Sequence, residues 1–162
     1  MRVIFIIVLL ISMYIIFNPC SVSYRVKSGK MYRSRDKKTA EIIDILRNIS
    51  IHLSYNINEE DGELLRENLQ NTSFKELLYN NPNILGWNYD KGREIGIKIY
   101  NSSNKIYPPE EILSTLFHEL AHSLTIKNGH HEKWKEKNNY LQSFVPFYVN
   151  IFVLKTKEID NE

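Results

Sequence analysis

A five-residue segment that begins at His118 and reads His-Glu-Leu-Ala-His constrains this chain more than any other feature. It lies within a run from Glu110 to Leu124 whose apolar residues recur at helical spacing. Residues four apart share one face of a helix, so His118 and His122 can hold one Zn²⁺ at about 2.0–2.1 Å. Glu119 can accept a proton from a water on that metal. The segment therefore predicts a zinc-binding helix with a proton acceptor beside the ligands.

A pair of histidines after this helix offers the third protein ligand that catalytic zinc requires. The chain has five histidines, and four of them lie in this one part of the sequence. Once Asn128 and Gly129 turn the chain back, either His130 or His131 can supply the ligand. The alternative is a surface helix that carries two hydrogen-bonded histidines. The clustering of four histidines disfavours it.

Composition limits the other classes of site. Cys20 is the only cysteine, which excludes an internal disulfide framework and a cysteine-rich structural metal site. The 162 residues are enough for one domain with its own core. The net charge of +2 argues neither for nor against nucleic-acid binding.

An almost unbroken apolar run extends from Val3 to Phe17 and ends at Asn18-Pro19. With its flanks it approaches the roughly 17–25 residues of a membrane-spanning helix. Residues 1–23 are therefore predicted to be an N-terminal transmembrane anchor. A cleaved signal peptide is the alternative, because Arg2 precedes the run, but residues 21–23 form a poor cleavage site.

A basic stretch follows, and residues 24–37 are predicted to be a linker. Seven lysines and arginines lie between Arg25 and Lys38, against the single acid Asp36. An excess of Lys and Arg marks the cytoplasmic side of a membrane segment. We therefore expect a single-pass membrane protein whose catalytic domain faces the cytosol. The same residues can attract anionic lipid head groups.

Hydrophobic periodicity places several elements before the histidine helix. Helices are predicted over residues 38–53 and 59–69. Ser73 and Glu76 form a capping-box pattern, which predicts the start of a third helix. Residues 85–92 predict a strand that leads into a glycine turn.

The remaining elements complete an α+β arrangement. Alternating isoleucines over residues 95–99 predict a half-buried strand. A helix is predicted over 134–140, and the apolar segment 140–154 is expected to pack in the core rather than span a membrane. Residues 38–154 are thus expected to form the domain, and 155–162 a charged tail.

Five segments occur in order at residues 85–92, 95–99, 107–112, 118–122 and 129–134. They read LGWNYDKG, IGIKI, YPPEEI, HELAH and GHHEKW. Together they resemble the WLM zinc metallopeptidases, which are relatives of the SprT and Spartan proteases that degrade DNA–protein crosslinks. The resemblance implies a zincin-like α+β domain with a small antiparallel or mixed sheet, a Zn²⁺ cofactor, and protein or peptide substrates.

The resemblance also assigns roles to residues. His118 and His122 match the metal ligands, and Glu119 matches the catalytic acid/base. The family's third ligand follows a glycine and precedes an aromatic residue by four positions. His130 matches both conditions, and His131 is the second choice.

The expected function is that of a membrane-anchored zinc metalloendopeptidase, which hydrolyses peptide bonds through a zinc-bound water activated by Glu119. The strand at residues 94–100 is expected to be the edge along which an extended substrate pairs. Tyr140 or Tyr148 is expected to stabilise the oxyanion. Binding to nucleic acid is implied only by analogy with the family, and the protein is expected to be a monomer. The alternatives are a catalytically inactive zinc-binding module attached to the membrane and a secreted metallopeptidase.

Overall fold

The computed structural model describes residues 22–78, 81–125 and 129–161, which form a mixed sheet of five strands with five helices. The strands are β1 (Val22–Arg25), β2 (Met31–Ser34), β3 (Ser73–Glu76), β4 (Gly86–Tyr89) and β5 (Glu94–Ile97). The helices are α1 (Lys37–Ser54), α2 (Glu59–Asn71), α3 (Pro109–Ser123), α4 (Glu132–Gln142) and α5 (Val145–Asp160). The predicted α+β class with a mixed sheet is confirmed.

The strands lie in the order β1-β2-β3-β5-β4. β1 and β2 form an antiparallel hairpin, β2, β3 and β5 run parallel, and β4 returns antiparallel along β5. A single 3₁₀ turn, Asp90–Gly92, joins β4 to β5. In this order β4 is an edge strand, while β5 is hydrogen-bonded on both sides.

The two faces of the sheet differ because side chains alternate along each strand. One face, here the inner face, packs against α1 and α3 and carries Phe74, Ile95 and Ile97, each at most 4% exposed. The opposite, outer face carries Trp87, which is 37% exposed, and other exposed side chains. The hydrophobic core thus lies between the inner face and the helices.

Local signals explain the long helices. The Asp36 carboxylate accepts a hydrogen bond from the Thr39 backbone N–H at 2.7 Å and caps α1. Apolar residues at helical spacing then bury one side of α1 against the sheet; these are Ile42, Ile43, Leu46, Ile49 and Leu53. The helices predicted over 38–53 and 59–69 are confirmed as α1 and α2.

Two predictions of local structure are wrong. Residues 24–37 are not a linker throughout, because β1 and β2 pair within them. Ser73 starts β3 rather than a helix, since the Glu76 carboxylate binds the Arg35 backbone N–H and Nε, both at 2.7 Å, instead of completing a cap. The charged residues expected at the end of the chain lie on α5 as far as Asp160.

The apolar segment at 140–154 packs in the core, as predicted. Tyr148 and Phe152 of α5 are 1% and 2% exposed. No helix within the described residues is long and apolar enough to cross a membrane. The predicted anchor at 1–23 lies outside the described residues except for Val22 and Ser23, which begin β1.

Candidate metal centre

The helix α3 carries the first two histidines and is well specified by its sequence. Pro109 occupies the first helical turn, and Glu110 and Glu111 lie near the positive end of the helix dipole. Its buried side packs in the core through Leu113, Leu116, Phe117 and Leu120, all 0% exposed. This packing fixes the rotation of the helix and sets His118 and His122 together, with ring centroids 5.2 Å apart.

His130 completes a triangle of imidazoles. Its ring centroid lies 5.1 Å from that of His118 and 5.1 Å from that of His122. The three side chains each offer one ring nitrogen, and these nitrogens lie within 4.8 Å of one another. Three imidazoles are a donor set of catalytic zinc, so the residues present fit the ion.

His131 lies outside this group of converging nitrogens. It is the N-cap of α4, and its Nδ1 accepts a hydrogen bond from the Trp134 backbone N–H at 3.4 Å. Gly129 adopts φ +84°, a left-handed conformation that glycine tolerates best, at the turn just before the two histidines. The structure therefore gives the two neighbouring histidines different surroundings.

Partial burial lowers the pKa values of the two histidines on α3. Desolvation, assisted by the nearby His130, lowers the pKa of His118. Desolvation and neighbouring positive groups lower the pKa of His122 to about 4. Both rings are therefore neutral at pH 7, and neutral imidazole is the form that ligates metals.

Glu119 follows His118 on α3, and its side chain is buried. It is 6% exposed, and burial raises its pKa to about 7. A pKa near neutrality suits a group that must both accept and release a proton at pH 7. Strongly perturbed pKa values cluster at functional sites, so Glu119 is a candidate functional residue.

Gly86 of β4 makes room for this carboxyl. A Cβ atom at position 86 would lie 2.9 Å from the Glu119 Cδ and 2.7 Å from the Thr115 Cγ2. Both distances are too short for ordinary contact, so the strand approaches the helix this closely only because residue 86 has no side chain.

Asn88, two residues on, anchors the same strand to the same helix. Its Nδ2 donates to the backbone carbonyl of Glu119 at 2.6 Å and to the Ser123 Oγ at 2.9 Å. Its Oδ1 accepts from the Gly92 N–H at 2.8 Å. Sequence reasoning missed both Gly86 and Asn88. A usable signal was present, since glycine and asparagine are disfavoured in strands without a special reason.

A cleft of about 340 Å³ opens between the start of β4 and α3. Residues 83–86 form one wall, and Ser114, Thr115, His118 and Glu119 form the other. The cleft therefore leads along the sheet edge to the proposed proton acceptor. The edge strand beside it is β4, so the expectation that the strand at 94–100 would be the edge is wrong.

Trp134 of α4 packs against all three histidines. Its ring centroid lies 4.2 Å from that of His130, 4.8 Å from His118 and 5.0 Å from His122. It is 6% exposed, and its Nε1 is buried without a hydrogen-bond partner among the described residues. The indole thus supplies an apolar wall that holds the rings together and limits the access of water.

The two tyrosines expected at the oxyanion have partners elsewhere. The Tyr148 hydroxyl lies 2.8 Å from the His52 Nδ1, and the Tyr140 hydroxyl accepts from the Asn58 N–H at 3.1 Å. Neither residue lines the cleft beside Glu119.

Comparison with known families decides the relationship of this chain to other proteins. The model of the WLM domain family matches residues 63–145, slightly more than half of the chain. The chain belongs to the WLM family. This family is one of zinc-dependent proteases, and the matched region contains β3 to β5, α3, the three converging histidines and α4.

Two solved structures resemble this WLM chain in part. The crystal structure of Wss1 from Saccharomyces cerevisiae is 24% identical, with a TM-score of 0.45, over 54% of this chain and 69% of that one. A crystal structure of a Wss1 mutant from the same organism is 22% identical, with a TM-score of 0.43, over 56% of this chain and 82% of that one. A search of curated proteins finds no match to the chain.

Proposed function

We propose that this WLM protein is a zinc-dependent endopeptidase in which His118, His122 and His130 hold the metal and Glu119 is the catalytic acid/base. The single observation that supports this best is the convergence of three imidazoles beside a buried carboxyl at the end of a surface cleft. Membership of a zinc-dependent protease family agrees with it.

Zinc held by the three imidazoles would polarise the scissile carbonyl and lower the pKa of a bound water towards about 7. The remaining chemistry belongs to side chains of this chain. Glu119 accepts the proton of the attacking water and delivers it to the leaving amine. In the metal-free protein, burial raises the pKa of Glu119 to about 7, which favours proton exchange near neutral pH. Trp134, which is buried and packs against His118, shields one side of the site from bulk water.

An extended substrate would pair with β4, the edge strand beside the cleft. Its backbone groups would extend the sheet by one strand and bring a peptide bond to Glu119. Gly86 and Asn88 set the distance between β4 and α3. Gly86 permits the close approach of the strand, and Asn88 hydrogen-bonds to the helix. These two residues are positioning residues.

We further propose that the apolar run before β1 tethers the protein to a membrane and that its catalytic domain faces the cytosol. The support is the apolar run from Val3 to Phe17 and the basic residues that follow it.

Hydrolysis of an unfolded protein by the zinc-loaded full chain tests the peptidase proposal. Glu119→Gln should lower kcat by about 10²–10⁴-fold while one zinc remains bound, since the substitution removes proton transfer and no ligand. Glu110→Gln, an exposed position in the first turn of the same helix, is the matched control and should behave as wild type. Equal inactivity of all three zinc-loaded proteins would show that the peptidase proposal is wrong.

A further inference from the structure

The outer face of the sheet brings basic and aromatic side chains into cross-strand rows. The register places Ser23 beside Arg33, Arg33 beside Lys75, Lys75 beside Gly96, and Gly96 beside Trp87. Residues paired in this way point to the same side of a sheet. One row therefore crosses all five strands, with cations towards β2 and β3 and an indole at the β4 edge.

Neighbouring rows add to this surface. Met31 lies beside Arg25, and Tyr89 lies beside Glu94. Met31 is 52% exposed, Tyr89 is 55% exposed and Trp87 is 37% exposed. Trp87 and Tyr89, whose ring centroids lie 6.4 Å apart, form one exposed apolar patch at the β4 edge, and contiguous patches of this kind mark interaction sites.

Among its paired strand residues, this face carries three basic side chains, Arg25, Arg33 and Lys75, and one acidic side chain, Glu94. Arg25 and Arg33 are exposed, while the Lys75 Nζ lies 2.7 Å from the Glu94 carboxylate and 5.6 Å from the centroid of the Trp87 ring. Glu94 is the carboxylate of this face among the paired strand residues, so its cations outnumber its acids. Tryptophan and tyrosine combined with Lys and Arg are typical of surfaces at the membrane–water interface.

The chain that precedes β1 indicates which partner fits. Residues 1–21 lead directly into β1 and contain the apolar run from Val3 to Phe17. β1 is the edge of the sheet opposite β4, and five strands spaced about 4.8 Å apart give a face roughly 19 Å wide. A tether at one edge of the face and aromatic residues at the other allow the whole face to lie flat on one surface.

We propose that the outer sheet face rests on an anionic lipid surface, with Arg25 and Arg33 at the head groups and Met31, Trp87 and Tyr89 in the interfacial layer. The adjoining apolar run favours lipid over nucleic acid, because a nucleic acid offers no apolar layer for Met31 or for that run. The attraction is electrostatic and apolar together, so it requires negatively charged lipid.

This orientation would place the catalytic cleft close to the membrane. The outer side chains of β4 face the lipid, while its edge borders the cleft. The inferred substrates are extended protein segments that lie near the membrane surface, and this inference rests on the proposed peptidase function.

Quenching of Trp87 fluorescence by brominated lipid tests the orientation directly. The full chain carrying Glu119→Gln is reconstituted into phosphatidylcholine vesicles with or without phosphatidylserine, so no cleavage enters the measurement. The Trp87→Phe variant retains only Trp134, which is buried, so its fluorescence gives the background to subtract. We expect quenching of Trp87 in vesicles that contain phosphatidylserine and much less in phosphatidylcholine alone.

Charge variants decide whether the basic residues cause the orientation. Arg25→Gln with Arg33→Gln should lower the population of face-bound molecules by roughly fivefold for each cation. Lys155→Gln with Lys157→Gln, both exposed on α5 away from the sheet, should leave quenching unchanged.

Three results would overturn the proposal. They are vesicle-bound protein whose Trp87 is not quenched, equal quenching with and without phosphatidylserine, and a Trp87 response to single-stranded oligonucleotide but not to lipid. The peptidase proposal stands or falls separately, because it is tested by hydrolysis.

Discussion

The side-chain amide of Asn88 donates a 2.6 Å hydrogen bond to the backbone carbonyl of Glu119. The same amide binds the Ser123 Oγ, so two successive turns of α3 are held by one residue of the edge strand. This contact ties the strand beside the cleft to the helix that carries Glu119. Four predictions follow from this arrangement and from the chemistry around it.

Asn88→Ala should weaken both folding and hydrolysis. Loss of the amide leaves the Ser123 hydroxyl and the Gly92 N–H without this partner, at a cost of about 1–3 kcal/mol in the free energy of unfolding. Hydrolysis should slow further than stability alone explains, because β4 can then shift relative to Glu119. Urea unfolding and steady-state kinetics measure the two effects. Asn150→Ala, exposed on α5, is the control; equal effects of both substitutions would contradict the positioning role.

Gly86→Ala should reduce activity by displacing the Glu119 carboxyl. The added methyl would lie 2.7 Å from the Thr115 Cγ2 and 2.9 Å from the Glu119 Cδ, so strand or helix must move, at about 1–3 kcal/mol. Thr115→Ser removes the clashing methyl and should recover part of the stability in the double variant. A double-mutant cycle by urea unfolding measures this coupling. Strict additivity would show that the two residues do not meet.

His130→Ala should lower zinc affinity strongly, whereas His131→Ala should retain zinc. The reason is that only His130 of this pair has a nitrogen within 4.8 Å of those of His118 and His122. His131→Ala should instead lose about 0.5–2 kcal/mol of stability with the N-cap of α4. Zinc stoichiometry after dialysis distinguishes them. Loss of zinc in the His131 variant alone would show that His131, and not His130, is the third ligand.

The zinc-free protein should become more stable at pH 8 when Glu119 is replaced by Gln. Burial raises the folded-state pKa of Glu119 from 4.5 to about 7, so the ionised carboxylate destabilises the fold above pH 7, by on the order of 3 kcal/mol. Between pH 7 and 4.5 the folded carboxyl binds its proton before the unfolded one does. The advantage of the Gln variant should therefore shrink as the pH falls through this window.

Urea unfolding at pH 8 and pH 4.5, in the presence of a chelator, measures this difference. Protonation of the histidines affects wild type and variant alike, so it cancels when the two are compared at each pH. A difference between the two proteins that does not depend on pH would mean that the carboxyl is not desolvated.

Part of this architecture could be predicted from sequence because it depends on local periodicity. The apolar spacing of α1 and α3, and the four-residue separation of His118 and His122, specify a helix face directly. Residues 86–89 likewise show a strand pattern that the fold retains.

Other features depend on contacts between distant parts of the chain. Glu76 would have capped a helix, but its carboxylate binds Arg35, 41 residues away, and the segment becomes a strand. The alternation of apolar and polar residues does not reveal the strand order either, since the same pattern suits β5 in the sheet interior and β4 at its edge. The different surroundings of His130 and His131 depend on a single left-handed glycine and the cap of α4.

The length of β4 limits how much of an extended substrate the strand can bind. A strand of four residues spans about 13 Å, at about 3.3 Å per residue. A substrate that pairs with β4 as proposed would therefore form backbone hydrogen bonds along only a few peptide units. Such an enzyme would select for locally unfolded chain rather than for a long recognition sequence. Tripeptides should be poor substrates, and a loop loosened from an otherwise folded protein should be a good one.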